Sequence, residues 1–272
     1  MRSSSVEVTG FTAVFRVVIP ARFASSRFPG KVLAPIGARP MLEWVHERAC
    51  RSRAAEVWIA TDDERIAGAA RGFGARVALT ASTHVSGTDR IAEVARSRGW
   101  SPDELVVNLQ GDEPLMPPSL IDAVALALGD TPGADMSTAA ASIECLEEFL
   151  DPNAVKVVTD TRGRALYFSR APIPWSRDGA PAGLASQRCF TGARRHIGIY
   201  GYRVGALLRL AALAPTTLEE SEKLEQLRAL EQGFDIRVIG AAEHPGADVN
   251  TPEDLVRVAR LLGAGTSREG RR

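Results

Sequence analysis

The sequence predicts an α/β protein: a doubly wound, mostly parallel sheet with a smaller inserted lobe. Three observations lead there. Short apolar runs alternate with segments of helical period through the first half, the rhythm of strands joined by crossover helices. Two polar loops, 20–31 and 110–114, each follow such a run and so fall at the carboxyl end of a strand, where ligands bind in open α/β sheets. And 272 residues, 45% of them hydrophobic and 24% charged, suffice to bury one large core, which excludes a disordered or fibrous chain.

Taken in order, residues 1–13 read as a loose extension and 15–19 (FRVVI) as a buried strand. The period then predicts a helix over 41–54, a strand over 56–60 (EVWIA), and a helix over 62–73 opened by an Asp N-cap. A short strand at 76–79, a helix at 89–98, a strand at 105–109 (LVVNL) and a helix at 118–128 with proline at its start follow. In the less regular second half, 155–159 and 165–169 flank the turn Asp160-Thr161-Arg162-Gly163 and predict a hairpin. Residues 177–193 have no period and many small residues, the composition of a loop. A strand at 195–202, helices at about 203–213 and 219–232, a strand at 236–239 and a last helix from Pro252 complete the chain. Nothing marks a linker, so one core is expected over 14–262, with the smaller lobe at about 140–215 and loose termini at 1–13 and 263–272.

Thirty-three basic residues balance thirty-three acidic ones, so neither nucleic acid nor an anionic membrane is an expected partner, and anion binding has to come from a local arrangement. Cys50, Cys145 and Cys189 are too few and too widely spaced for a disulfide framework or a paired CxxC metal site, which points to a reducing cytoplasm. The N-terminal apolar run is too short for a membrane span or a signal sequence. Only three lysines occur, Lys31, Lys156 and Lys223, so a compact ammonium where one is kept is weak support for a role.

The loop Pro20-Ala21-Arg22-Phe23-Ala24-Ser25-Ser26-Arg27-Phe28-Pro29-Gly30-Lys31 sets three cations and two hydroxyls at a strand end. The Arg22 fork and the Lys31 point charge suit phosphate oxygens, and backbone amides add donors, so a polyphosphate is the natural guest. The loop is not a Walker A sequence, and Gly72-Phe73-Gly74-Ala75 lacks the third glycine of a dinucleotide fingerprint. A basic surface turn is the plainer alternative. Gln110-Gly111-Asp112-Glu113-Pro114 ends the fourth strand nearby, and Asp112 there suits a divalent cation held against phosphates; the plainer alternative is an Asp that caps its own turn. A metal and a basic loop on one edge suggest nucleotidyl transfer.

The blocks PARFASSRFPGK, ATDDE, SGTDR, NLQGDEP, DPNAVKVV, ALYFSRAPIPW, RHIGIYGYR, LEQLRAL and NTPEDL, in this order, resemble the 3-deoxy-manno-octulosonate cytidylyltransferases, or CMP-Kdo synthetases, over about 16–262. The resemblance implies a Rossmann-like fold of the nucleotide-diphospho-sugar transferase type, with the lobe serving the acceptor and dimerisation. It implies magnesium-dependent transfer of CMP from CTP to the anomeric hydroxyl of the octulosonate (Kdo), with pyrophosphate leaving, in lipopolysaccharide biosynthesis, by a cytoplasmic homodimer. By similarity, Arg22 and Lys31 hold the triphosphate with Ser25 in the same loop. Ser86, Gly87 and Arg90 lie by base and ribose, and Asp112 binds Mg2+. Gln110, Arg170, His196, Tyr200, Glu225 and Gln226 line the sugar-acid pocket, with Gln110 also beside the nucleotide.

Each pocket residue has a bland rival. A lone strand histidine is often a hydrogen-bonded core residue, although Tyr200 shares its face by the period of two. For Glu225 and Gln226 a charged helical face is the plainer reading, since Leu224, Leu227 and Leu230 form the buried stripe of their helix and do not force the two into the core. In Asp248-Val249-Asn250-Thr251-Pro252 the family usually carries aspartate where Asn250 stands, the expected second magnesium ligand. An Asn carbonyl can still ligate, and Asp248 points to the same face if the segment is extended. That departure keeps two alternatives open: a paralogue transferring CMP to another small acid, such as 8-amino-Kdo or phosphonoformate, and a non-catalytic nucleotide-binding protein.

Overall fold

The computed structural model describes residues 14–24, 28–180, 182–243 and 245–269. In chain order the elements are β1 (Phe15–Pro20), β2 (Pro35–Ile36), β3 (Arg39–Pro40), α1 (Met41–Cys50), β4 (Glu56–Thr61), α2 (Glu64–Gly72), β5 (Arg76–Leu79), α3 (Gly87–Ser97), β6 (Leu105–Asn108) and α4 (Pro118–Gly129). Then follow β7 (Met136–Ser142), α5 (Leu146–Leu150), β8 (Lys156–Thr159), β9 (Ala165–Ser169), β10 (Arg194–Arg203), α6 (Val204–Leu210), α7 (Thr217–Glu222), α8 (Gln226–Glu231), β11 (Ile236–Gly240) and α9 (Pro252–Glu269).

Among the described residues the main sheet runs β11-β7-β10-β6-β1-β4-β5, with the β8–β9 hairpin attached through β10. β1 pairs in parallel with β4 and β6, in register Val17↔Val57 and Val17↔Val107, while β10 runs antiparallel to β6 and β7. Alternation along β1 explains the layers. Val17 and Ile19 face Leu42 and Val45 of α1, Ile66 of α2, and Leu120, Ile121 and Val124 of α4. Val18 faces the other way, into a core with Ile91 and Val94 of α3, Leu207 of α6 and Leu227 of α8. Covered on both faces, Val17, Val18 and Ile19 are apolar in succession and lack the half-polar alternation of a solvent-facing strand, while Arg16 at the half-buried start of β1 pairs with Glu56 and Glu104. Burial of each such side chain stabilises by roughly 1.5–3 kcal/mol.

Several expected boundaries move. The first helix stops at Cys50 rather than 54. The second is capped by Asp63, whose side chain accepts from Arg65 N, and not by Asp62. The third begins at Gly87 because Ser86 and Asp89 form a capping box. The helix expected over 219–232 is two, α7 and α8, separated at Lys223, which has φ +52°. β7, α5 and the β2–β3 pair were not foreseen; MSTAAAS has too few branched or aromatic residues to read as a strand. Within 140–215, β10 lies in the main sheet between β6 and β7, so the residues that stand off its path are those of α5, the β8–β9 hairpin and the connection after it. In that connection 177–193 holds a single short turn of helix, Leu184–Ser186.

Candidate active site

β1, β4 and β6 end on the same edge because they are parallel neighbours, and the loops after them converge there. The loop after β1 turns back at Gly30, whose φ of +71° a glycine adopts without strain. It delivers Lys31 to the acidic turn after β6. Lys31 Nζ donates to Asp112 Oδ2 at 2.5 Å and to the Val249 carbonyl at 3.0 Å, and Val249 N donates to the Asp112 carbonyl at 2.9 Å. One ammonium thus ties together the basic loop, the acidic turn and the segment before α9. Gly111 permits the approach: a Cβ there would lie 3.1 Å from the Pro20 carbonyl oxygen. The two turns therefore meet at one rim, as expected. Lys31 is no loose surface charge; its side chain is 13% exposed.

Beside this rim a cavity of about 80 Å³ gathers Arg22, Ser86, Gly87, Arg90 and Gln110, together with His84. Arg22 Nη1 donates to the Val85 carbonyl at 3.3 Å. Arg90 is buried; it donates to Thr80 Oγ1 and pairs with Asp62 at 3.1 Å, so its guanidinium is held from two sides. Ser86 spends its hydroxyl on the α3 cap, accepting from Asp89 N at 3.1 Å. His84 is itself bound to Glu93. Ser25 lies outside the described residues.

The residues expected to line an acceptor pocket fall into linked groups. His196 and Tyr200 stack with ring centroids 5.3 Å apart, despite a register shift in β10 between Ile197 and Tyr200. The shift inserts two residues, an even number, so both rings stay on one face. His196 Nε2 lies 2.9 Å from Thr138 Oγ1, and burial pushes its imidazole down to about 3, so it is neutral. Burial likewise raises the Tyr200 phenol, whose buried hydroxyl has no hydrogen-bond partner among the described residues. Tyr200 also contacts Tyr202, at 6.0 Å between centroids.

Glu225 reaches the start of α3, its Oε2 accepting from Thr88 Oγ1 at 3.0 Å. Burial raises its carboxyl, against the hydrogen bonds from Thr88 and Ser86. Gln110 Nε2 donates to Asn108 Oδ1 at 3.2 Å. Gln226 is buried, so the charged helical face that is the plainer reading of this segment does not hold for it. The leucine stripe packs into the core as expected, but α8 buries Gln226, Arg228 and Ala229 together with Leu227, so its covered face is wider than the stripe. Arg170 stands apart: its Nε donates to the Glu222 carbonyl at 2.6 Å and Nη1 to the Pro152 carbonyl at 2.9 Å.

Asp248 and Asn250 sit across from Asp112, joined to it through Val249. Asn250 Nδ2 donates to Asp248 Oδ2 at 2.5 Å, and Asn250 N donates to Asp254 Oδ2 at 3.0 Å. A groove of about 850 Å³ is lined by Asp248, Asn250, Arg170 and Arg195 among others. A cavity of about 200 Å³ on the other side of Asp248 includes His196, Arg195 and Glu113. Burial, then Asp112 and Asp248, hold the Glu113 carboxyl well above the usual carboxylate range. Sequence reasoning passed over Glu113, Asp62, Thr88 and Asn108. Asp62 was legible as a carboxylate just past a strand end; the others gain their places through side-chain contacts that no local pattern encodes. No helix among the described residues is long and apolar enough to cross a membrane.

Known proteins resemble this chain along most of its length. The family model described as cytidylyltransferase matches residues 16–236. A 3-deoxy-manno-octulosonate cytidylyltransferase of Thioalkalivibrio sulfidiphilus is 53% identical over 92% of this chain and 99% of its own, and one from Pseudomonas syringae pv. syringae is 53% identical over the same shares. A solved structure of a CMP:2-keto-3-deoxy-manno-octonic acid synthetase complexed with CTP superposes with a TM-score of 0.82 at 38% identity, covering 93% of this chain and all of that one. A 4-diphosphocytidyl-2C-methyl-D-erythritol synthase shares the fold at 12% identity, with a TM-score of 0.61. With the basic loop, the acidic turn and the adjoining cavity on one rim, and with relatives matched along almost their whole length, this chain belongs to the 3-deoxy-manno-octulosonate cytidylyltransferase family.

Proposed function

We propose that the protein transfers CMP from CTP to the anomeric hydroxyl of 3-deoxy-manno-octulosonate, with release of pyrophosphate. The observation that carries this reading is the Lys31 bridge, which sets a cation and the Asp112 carboxylate on one rim beside the cavity that holds Arg22, Ser86, Gly87, Arg90 and Gln110. The names of the relatives support the acceptor.

In-line attack on the α-phosphorus asks the protein for position and for charge neutralisation rather than for a covalent nucleophile. Arg22 and Lys31 supply positive charge where the triphosphate lies. Arg90, fixed by Asp62 and Thr80, keeps a charged wall at the base side without needing to reorganise. His196, Tyr200, Glu225, Gln226 and Gln110 offer donors and acceptors to a polyhydroxylated acid. The neutral imidazole adds no charge of its own, and the Tyr200 hydroxyl, without a hydrogen-bond partner among the described residues, is available to a ligand oxygen.

The donor set fits magnesium. Asp112 and Asp248 give hard carboxylate oxygens and Asn250 an amide oxygen, while Lys31 already places a positive charge against Asp112. Among the described residues no group of three or more His, Cys, Asp or Glu side chains is arranged for a metal; magnesium bound here would complete its shell with phosphate and water. Bound there, the ion would neutralise developing phosphate charge. A homodimer in the cytoplasm belongs to the same reading.

Pyrophosphate release assayed with CTP and Kdo, 8-amino-Kdo or phosphonoformate tests it. Turnover is expected with Kdo in the presence of magnesium. Preference for another acid replaces the acceptor; CTP binding without turnover of any acid overturns the enzymatic reading.

A further inference from the structure

Glu222 makes an unusual set of contacts for a residue at the end of a six-residue helix. Its Oε1 accepts from Ser169 Oγ at 2.6 Å and its Oε2 from Arg170 N at 2.8 Å, while its own carbonyl accepts from Arg170 Nε at 2.6 Å. The end of β9 is thereby clamped to the end of α7 by three hydrogen bonds, two of them to a carboxylate and one from a guanidinium, the stronger kinds. Lys156 secures the far side. It is buried, and Nζ donates to the carbonyls of Arg170 at 2.7 Å and Asp151 at 2.8 Å.

What the clamp holds is the turn that follows. Lys223 has φ +52°, the one left-handed residue other than glycine among those described, and a side chain there costs free energy that surrounding contacts have to offset. The turn ends α7 and starts α8 at Gln226, so its geometry decides where Glu225 and Gln226 stand. Glu225 then meets Thr88 at the start of α3, and Gln226 is buried.

Resting on the function proposed above, we infer that Glu222 is a positioning residue for acceptor binding: it fixes the Lys223 turn by gripping Ser169 and Arg170, and so presents Glu225 and Gln226 to the sugar acid without touching it. Arg170 serves the same end through its backbone and guanidinium bonds to this turn.

The test is Glu222→Gln. An amide offers one oxygen where the carboxylate offers two, so either Ser169 Oγ or Arg170 N faces an NH2 group and loses its acceptor. KM for Kdo is expected to rise about tenfold, the scale of one charged hydrogen bond lost from a pocket's support, with KM for CTP within about twofold. Amide hydrogen exchange should quicken over 222–231 and not over α3. Ser169→Ala, which removes one leg of the clamp, should shift KM for Kdo in the same direction by about threefold, and it decides the matter if Glu222→Gln does not fold. A KM for Kdo that stays put in folded variants, or a KM for CTP that rises in parallel, overturns the role of Glu222 alone. No turnover of Kdo by the wild-type chain overturns the proposed function and this role with it.

Discussion

Replacing Lys31 by Met should move two measured quantities in opposite directions. In the structure its ammonium sits on Asp112 Oδ2 and the Val249 carbonyl, where it neutralises the carboxylate proposed to hold magnesium. Removing it leaves the ion site one charge more negative. A unit charge at about 4 Å is worth roughly 1 kcal/mol in water and about 4 kcal/mol at the effective dielectric near a protein surface, so Mn2+, a spectroscopic stand-in, should bind the free chain at least about fivefold more tightly. Turnover should nonetheless fall by about 10²–10³-fold, the usual cost of removing one group aimed at transition-state charge.

Stability falls as well. A substitution in a surface loop would cost under about 0.5 kcal/mol, but this side chain is 13% exposed and its partner 24%. The pair stands between an exposed bridge, worth about 0–1 kcal/mol, and a buried one, whose breaking costs about 3–5 kcal/mol. A loss of about 1–2 kcal/mol, or roughly 2–4 °C in Tm for a chain of this size, is the expectation. Electron paramagnetic resonance titration of Mn2+, pyrophosphate release and calorimetry on one preparation read all three. Weakened or unchanged Mn2+ binding in a folded variant would refute the idea that Lys31 stands in the ion's place.

Three further outcomes follow from the same geometry. Asp112→Asn should keep the fold, since an amide oxygen can still accept from Lys31, yet lower turnover at ordinary magnesium by at least about a hundredfold and weaken Mn2+ binding; full activity would place the ion elsewhere. Asn250→Asp restores a carboxylate beside Asp248 and should lower the magnesium concentration for half-maximal activity, so an unchanged or weakened dependence would argue against Asn250 as a ligand. His196 has a folded pKa of about 3 against 6.5 in the unfolded chain, so the unfolded state binds the extra proton between those values. The stability it contributes is present above about pH 6.5 and lost as pH falls toward about 3. Wild type should therefore lose more Tm than His196→Gln between pH 7 and pH 4, and equal losses would show that the imidazole is not buried in its neutral form.

Most of the framework was legible in the chain because its causes are local. FRVVI and LVVNL each carry an unbroken apolar run, Val17 to Ile19 and Leu105 to Val107, as strands covered on both faces do, and that sufficed to place both loops at the carboxyl edge. Ser86 and Asp89, three apart, hold the signal of the capping box that starts α3, although the helix was expected two residues late. β7 escaped notice because its small residues carry no strand preference; it forms since β10 and β11 pair with it on either side. The division of α7 from α8 was hidden for a similar reason: LEQLRAL has a helical period beginning just after Lys223, so no local pattern marks the left-handed turn there, and the contacts of Glu222 with Ser169 and Arg170 that accompany it join distant parts of the chain.

The succession of strands and helices through the first half, the strand ends that carry the two polar loops and the residue types able to handle phosphate were set by the sequence alone, since periodicity and residue chemistry act over a few positions. Tertiary structure decided which groups meet. Lys31 and Asp112 are 81 residues apart and Lys31 and Val249 are 218 apart, and contacts of that range depend on how parallel strands stack, which no local pattern records. Burial decided the rest: whether His196 carries a proton, and whether Gln226 faces solvent or the core, depend on what the fold lays over them.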